Sequence, residues 1–232
     1  MARRRHLDSW RDYRSTPQKI GSRKEGFRRT RLLALLACEG DDTEPQYFRD
    51  MFSLLIKKKA LSPSSFIIAP HKHTDPMGVL DDLLKYSGPL RETYKDFSLR
   101  WIVIDRDEER TNGGGHTLGN FNTALSRAEA KNVKVAWSNP CFEIWYLLHF
   151  QYRQTFINRD ELLKELPKII EKPYAKNTPG MFEYLLPHIN TAKRNAEKLS
   201  KMNQVPADAN PGTKMHELID AFEKEIGVII QQ

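Results

Sequence analysis

The residues best placed to do chemistry are carboxylates that follow apolar runs. In LLALLACEGDDTEPQYF (residues 32–48), seven mostly apolar residues lead straight into Glu39, Gly40 and an acidic cluster. In WIVIDRDE (101–108), four apolar residues precede Asp105, and Asp107 follows two positions later. Side chains at i and i+2 of a strand point to the same side, so strand geometry kept through Arg106 would project both aspartates together. Like charges held this way repel unless a cation or strong donors compensate. Hard oxygen ligands suit Mg²⁺ or Mn²⁺. Two readings follow: a divalent-metal site gathered from Glu39, Asp105 and Asp107, or ordinary strand-end turn formers and surface ion pairs.

Several further residues are candidates beside these. In SNPCFEIWYLLHF (138–150), Ser138 or Asn139 can cap a helix whose first turn holds Pro140. Glu143 falls in that turn among hydrophobes, where it can complete a metal shell, orient a ligand or favour the helix N-terminus. Asn139 can orient substrate or hold the turn. His71, His73 and Asp75 in HKHTD offer phosphate contacts or nitrogen ligands for zinc, but without a fourth ligand the segment reads more simply as a surface loop. TNGGGH (111–116) offers backbone donors from Gly113, Gly114 and Gly115 beside His116, yet it lacks the lysine of a P-loop, and no ATP hydrolysis is assigned. Tyr47 shares helical spacing with Phe48, Met51 and Leu54, which favours packing over a nucleophilic role. Lys193 and Arg194, with Lys172, Lys176, Lys198 and Lys201, form either a solvated face or contacts to a polyanion backbone.

The elements that must position these residues alternate. Residues 30–37 read as an interior strand, because Gly40 and the polar residues after it stop the run too soon for a typical helix. A helix over 44–60 follows, with Thr43 as N-cap. Then come a strand at 64–70, a helix at 75–86, a strand at 99–108, a helix at 118–131, a strand at 133–139 and a helix at 140–151. Strands and helices taking turns at crossover spacing predict an α/β domain with a mainly parallel sheet. In such a sheet the ends of the first and third strands share the carboxyl edge, where open α/β sheets bind ligands. Helices are predicted at 158–170, 182–202 and 213–227, with Pro167 and Pro187 as interruptions and 204–212 as a linker. The division expected is an arm at 1–30, an α/β domain at 31–152, and a helical extension or cap at 153–232.

With 232 residues the chain can bury one sizeable core, with or without a small appendage. Its net charge of +7 is concentrated at the start, where residues 1–31 hold eleven basic residues against Asp8, Asp12 and Glu25. Such an arm suits a polyanion such as nucleic acid, or is simply solvated. Cys38 and Cys141 make neither a disulfide framework nor a thiolate zinc site, and both lie in apolar segments. No signal-peptide pattern or membrane-span-length run occurs, so a soluble, cytoplasmic protein without a membrane partner is expected.

A strand ending in Glu-Gly, followed by one ending in Asp-x-Asp, resembles the Toprim catalytic domain of topoisomerases, bacterial primases and several nucleases. More closely, CEGDDTEPQYF, VIDRDE and SNPCFEIWYLLHF together resemble the RloB family, bacterial proteins often encoded beside ATPases or restriction systems and linked to phage defence. The resemblance extends over most of 32–225 and includes AKRNA and NPGT. It implies a Toprim-like fold with a C-terminal helical extension, in which Glu39 matches the catalytic glutamate and Asp105 and Asp107 the metal-binding aspartates. The next alternate position, where some members of the wider Toprim superfamily carry a third aspartate, holds Glu109, beside Glu108. The function implied is Mg²⁺- or Mn²⁺-dependent nuclease action on DNA or RNA in phage defence, with an ATPase encoded nearby as partner. The alternative is a non-catalytic nucleic-acid-binding module, or a sensor that regulates such an ATPase. Glu39 can ligate metal or act as general base or acid.

Overall fold

The computed structural model describes residues 32–106, 115–202, 205–206, 208–228 and 230. The arm expected at 1–30, Asp107 with Glu108 and Glu109, and residues 111–114 of the glycine stretch lie outside the described residues. The elements run β1 (Ala34–Cys38), α1 (Thr43–Lys57), β2 (Phe66–Ile68), α2 (Pro76–Leu84), β3 (Leu99–Asp105), α3 (Leu118–Ala130), β4 (Lys134–Asn139) and α4 (Glu143–Leu148). They continue with α5 (Arg159–Ile169), α6 (Met181–Leu185), α7 (Ile189–Met202), β5 (Gly212–Thr213) and α8 (Met215–Ile226).

The five strands form one sheet in the order β2-β1-β3-β4-β5. The first three pairings are parallel and β4–β5 is antiparallel. This is the α/β architecture with a mainly parallel sheet that the alternation of segments predicts. The apolar run of β1 is buried along its whole length, as a central parallel strand covered on both faces requires. Ala34, Leu36 and Cys38 join Trp101 and Val103 in a core against α1, α4, α5, α6, α7 and α8. Leu35 and Ala37 join Ile102 and Ile104 on the other face, against α2 and α3. By the same alternation Asp105 falls on the face of Trp101 and Val103, toward the larger helical layer. No helix among the described residues is long and apolar enough to cross a membrane.

Helix boundaries depart from expectation where a side chain is claimed by a distant partner. Thr43 is not the cap of α1: it is the first helical residue, Asp42 takes the cap position without a side-chain bond, and the Thr43 hydroxyl donates to the Lys176 carbonyl (2.9 Å). The helix expected from Pro140 starts at Glu143. Neither Ser138 nor Asn139 caps it, because both remain in β4 opposite Thr213 and Gly212. Ser138 Oγ meets Thr213 Oγ1 at 2.9 Å, and Asn139 Oδ1 accepts from Asn210 Nδ2 at 3.2 Å. The 204–212 segment is therefore more than a linker, since its end supplies the antiparallel edge strand. Pro167 sits inside α5 without ending it, whereas Pro187 lies in a 3₁₀ turn, Leu186–His188, between α6 and α7.

Candidate active site

The parallel register of β1 and β3 pairs Cys38 with Val103, and the Glu39 N–H continues the ladder by donating to the Val103 carbonyl (3.0 Å). Glu39 thus leaves the sheet beside the end of β3. Its Oε2 accepts the Asp105 backbone N–H (3.0 Å), and its Oε1 accepts from His116 Nε2 (2.6 Å). Two residues 66 positions apart meet at the carboxyl edge, as the strand pattern predicts, and His116 fixes the carboxylate in place.

Two more carboxylates reach the same place from the helices. Glu44, the second residue of α1, is buried because it shares a helical face with Tyr47, Phe48 and Met51 at i+3, i+4 and i+7. Glu143, the first residue of α4, is buried and accepts the Tyr174 hydroxyl at Oε1 (2.8 Å). Asp105 is 5% exposed, and its Oδ1 is buried without a hydrogen-bond partner among the described residues. Arg159, at the start of α5, brings a cation to it, with Nη1 3.7 Å from Asp105 Oδ2. Glu39, Glu44, Asp105, Glu143, Arg159 and Lys176 line one cavity of about 300 Å³.

The glycine after Glu39 has a packing cause, since a Cβ at Gly40 would overlap the Glu44 carboxylate. The Glu-Gly pair and the following Thr-Glu are one arrangement: Gly40 leaves the room that Glu44 fills.

Burial, reinforced by repulsion from Glu143 and Glu39, pushes the Glu44 carboxyl up to about 7, against lowering from its backbone N–H and Arg159. Burial holds Asp105 well above the carboxylate range, with Glu44, Glu39 and Glu143 adding repulsion and Arg159 opposing it. Such a cluster is short of positive charge. Burial also pushes the thiols of Cys38 and Cys141 up, which makes them core residues rather than nucleophiles. Tyr47 is likewise buried, with its hydroxyl accepting from Trp145 Nε1 (2.8 Å) and its ring packed edge-on against Phe48, Phe142 and Phe182.

The other candidates separate. His71 bridges the end of β1 to the cavity rim, with Nδ1 3.1 Å from the Cys38 carbonyl and Nε2 3.0 Å from Asp41 Oδ1. His73 turns to the buried Asp82 (2.8 Å), which also accepts the N–H groups of Lys72 and His73, so this pair holds the loop. Asn139 ties β4 to Asn210, whose own Oδ1 accepts the Ile157 N–H (3.1 Å). Lys193 is claimed by Asp220 (2.5 Å) and Glu223 (2.7 Å) of α8, and Arg194 donates to Thr191 (3.1 Å). Both line a second cavity with His216, apart from Glu39, Asp105 and Glu143.

Sequence reading passed over Glu44 as an ordinary first-turn acid, although its spacing to Tyr47, Phe48 and Met51 marks it as inward-facing. It also passed over Arg159 and Tyr174, for which no local signal exists. Among the described residues, no group of three or more His, Cys, Asp or Glu side chains is arranged to hold a metal ion.

Comparison with known proteins gives one family. The model for RloB-like proteins matches residues 34–222, which takes in β1, the cavity and most of α8. No curated protein and no solved structure matches the chain. With the match spanning both the sheet and the helices that close the cavity, this chain belongs to the RloB-like family.

Proposed function

We propose that the protein is a Mg²⁺- or Mn²⁺-dependent nuclease that hydrolyses phosphodiester bonds in DNA or RNA, with phage defence as its setting and an ATPase encoded nearby as its partner. The observation that carries this reading is Asp105: a buried carboxylate with an unpartnered oxygen, in a cavity shared with three glutamates and two cations. An orphaned carboxylate oxygen inside a repelling cluster fits a hard divalent ion, because all the donors are oxygens and the ion relieves both the missing bond and the repulsion. Asp105 and Glu39 would hold it, with Asp107 added by the Asp-x-Asp resemblance and Glu143 as a further oxygen donor.

When bound, such an ion would supply Lewis acidity at a phosphate oxygen. Glu39 is held by His116 and the Asp105 N–H, so its negative charge stays oriented toward the cavity at no further ordering cost. Glu44 lines the same cavity from α1 and is placed to exchange a proton with the attacking water or the leaving oxygen. Arg159 and Lys176 face the phosphate with opposite charge from the same cavity. His71 and His73 lie on the adjoining loop, and only His71 reaches the rim.

The test is cleavage of labelled single-stranded and duplex DNA, tRNA and structured RNA with Mg²⁺, Mn²⁺ or EDTA, beside Glu39→Gln and Asp105→Asn. Metal-dependent cutting that falls by at least about 10²-fold in both variants is expected. Cutting that survives Asp105→Asn would overturn the reading.

A further inference from the structure

Arg159 has a place in the ion's own electrostatics, and this inference rests on the metal reading of the site. Its guanidinium reaches the cavity from the first residue of α5, on the C-terminal side of the chain, while the carboxylates come from the sheet edge and from α1 and α4. The distance to Asp105 Oδ2, 3.7 Å, is within ion-pair range but beyond a hydrogen bond. The pair is nevertheless enclosed: the side chains are 18% and 8% exposed. Asp105 therefore feels the charge of Arg159 while its other oxygen remains unpartnered. An ion pair that satisfies the charge but not the lone pairs is a poor final arrangement for a buried carboxylate. The first turn of α5 is set independently of this contact, by a reciprocal capping box in which Asn158 accepts the Glu161 N–H (2.9 Å) and Glu161 accepts that of Asn158 (3.3 Å).

We propose that Arg159 is a built-in counter-cation that occupies the electrostatic place of the divalent ion beside Asp105 and competes with it for the carboxylates. Ion entry then requires the guanidinium charge to be relieved, and a guanidinium moved off Asp105 still lines the cavity where phosphate enters. Arg159 is a positioning residue in this scheme, acting through the occupancy of Asp105.

The experiment is titration of Mn²⁺ into the full-length protein without nucleic acid, followed by electron paramagnetic resonance, for wild type, Arg159→Gln and Arg159→Lys. Thermal unfolding checks that each variant is folded. Removing one unit charge several ångströms from the ion is expected to tighten Mn²⁺ binding about tenfold in Arg159→Gln. Arg159→Lys, which keeps the charge, stays within about twofold of wild type by the same argument. Unchanged or weaker binding in a folded Arg159→Gln, with wild type still binding Mn²⁺, overturns this inference alone and leaves the nuclease reading standing. Absence of Mn²⁺ binding in wild type and in both variants overturns the metal reading and this inference together.

Discussion

Glu44 gives the site a pH signature that needs no substrate to measure. Its carboxyl rises from the ordinary 4.5 to about 7 in the folded chain, because burial and the neighbouring glutamates disfavour its charge. Between those values the folded protein holds a proton that the unfolded chain has released. Stability from this group is therefore intact at and below the unfolded value and declines as pH rises through about 7. The whole penalty is on the order of 3 kcal/mol for a shift of this size. In metal-free urea unfolding, Glu44→Gln is expected to match wild type at acid pH and to exceed it above neutrality. Equal stability of the two proteins across the whole range would mean that the charge of Glu44 is compensated in the fold.

At the scale of elements, α5 matters for where it starts. The Asn158–Glu161 capping box fixes the first turn of the helix, and the next residue after the cap is Arg159. Asn158→Ala is expected to cost about 1 kcal/mol, read from the urea midpoint. Elements such as β1, β3 and α1 were legible because their information is local. A contiguous apolar run stopped by Glu39-Gly40 specifies a buried strand, and a 3.6-residue stripe specifies the inward face of α1. The pairing of Glu39 with Asp105 followed from two such strands lying parallel. The late start of α4 was not legible, since Asn139 and Ser138 are held in β4 by Asn210, Gly212 and Thr213, some seventy residues on. Arg159 and Tyr174 were hidden for the same reason: their approach to Asp105 and Glu143 is decided by how α5 and the segment after it pack, and no spacing encodes that.

For the molecule as a whole, the stretch after residue 152 is built into the same core as the sheet. Leu162, Leu166, Phe182, Leu199, Leu218 and Phe222 lie in one buried cluster with Leu36, Val103 and Trp145. β5 closes the edge of the sheet. A chain ending at residue 152 would leave that apolar face of α1, α4 and the sheet in water, at about 25 cal/mol for each Å² exposed. Such a fragment is expected to lack a cooperative thermal transition by calorimetry, whereas the full chain unfolds in one; a fragment with its own sharp transition would show the first 152 residues to be an independent unit. The order of the cavity residues along the chain has a consequence for synthesis. A ribosome making this protein releases Glu39, Glu44, Asp105 and Glu143 before Arg159, Tyr174 and Lys176, so the acidic half of the cavity emerges ahead of the residues that enclose it. The cavity is complete only once Lys176 has left the exit tunnel, and until then a nascent chain carries these carboxylates unenclosed.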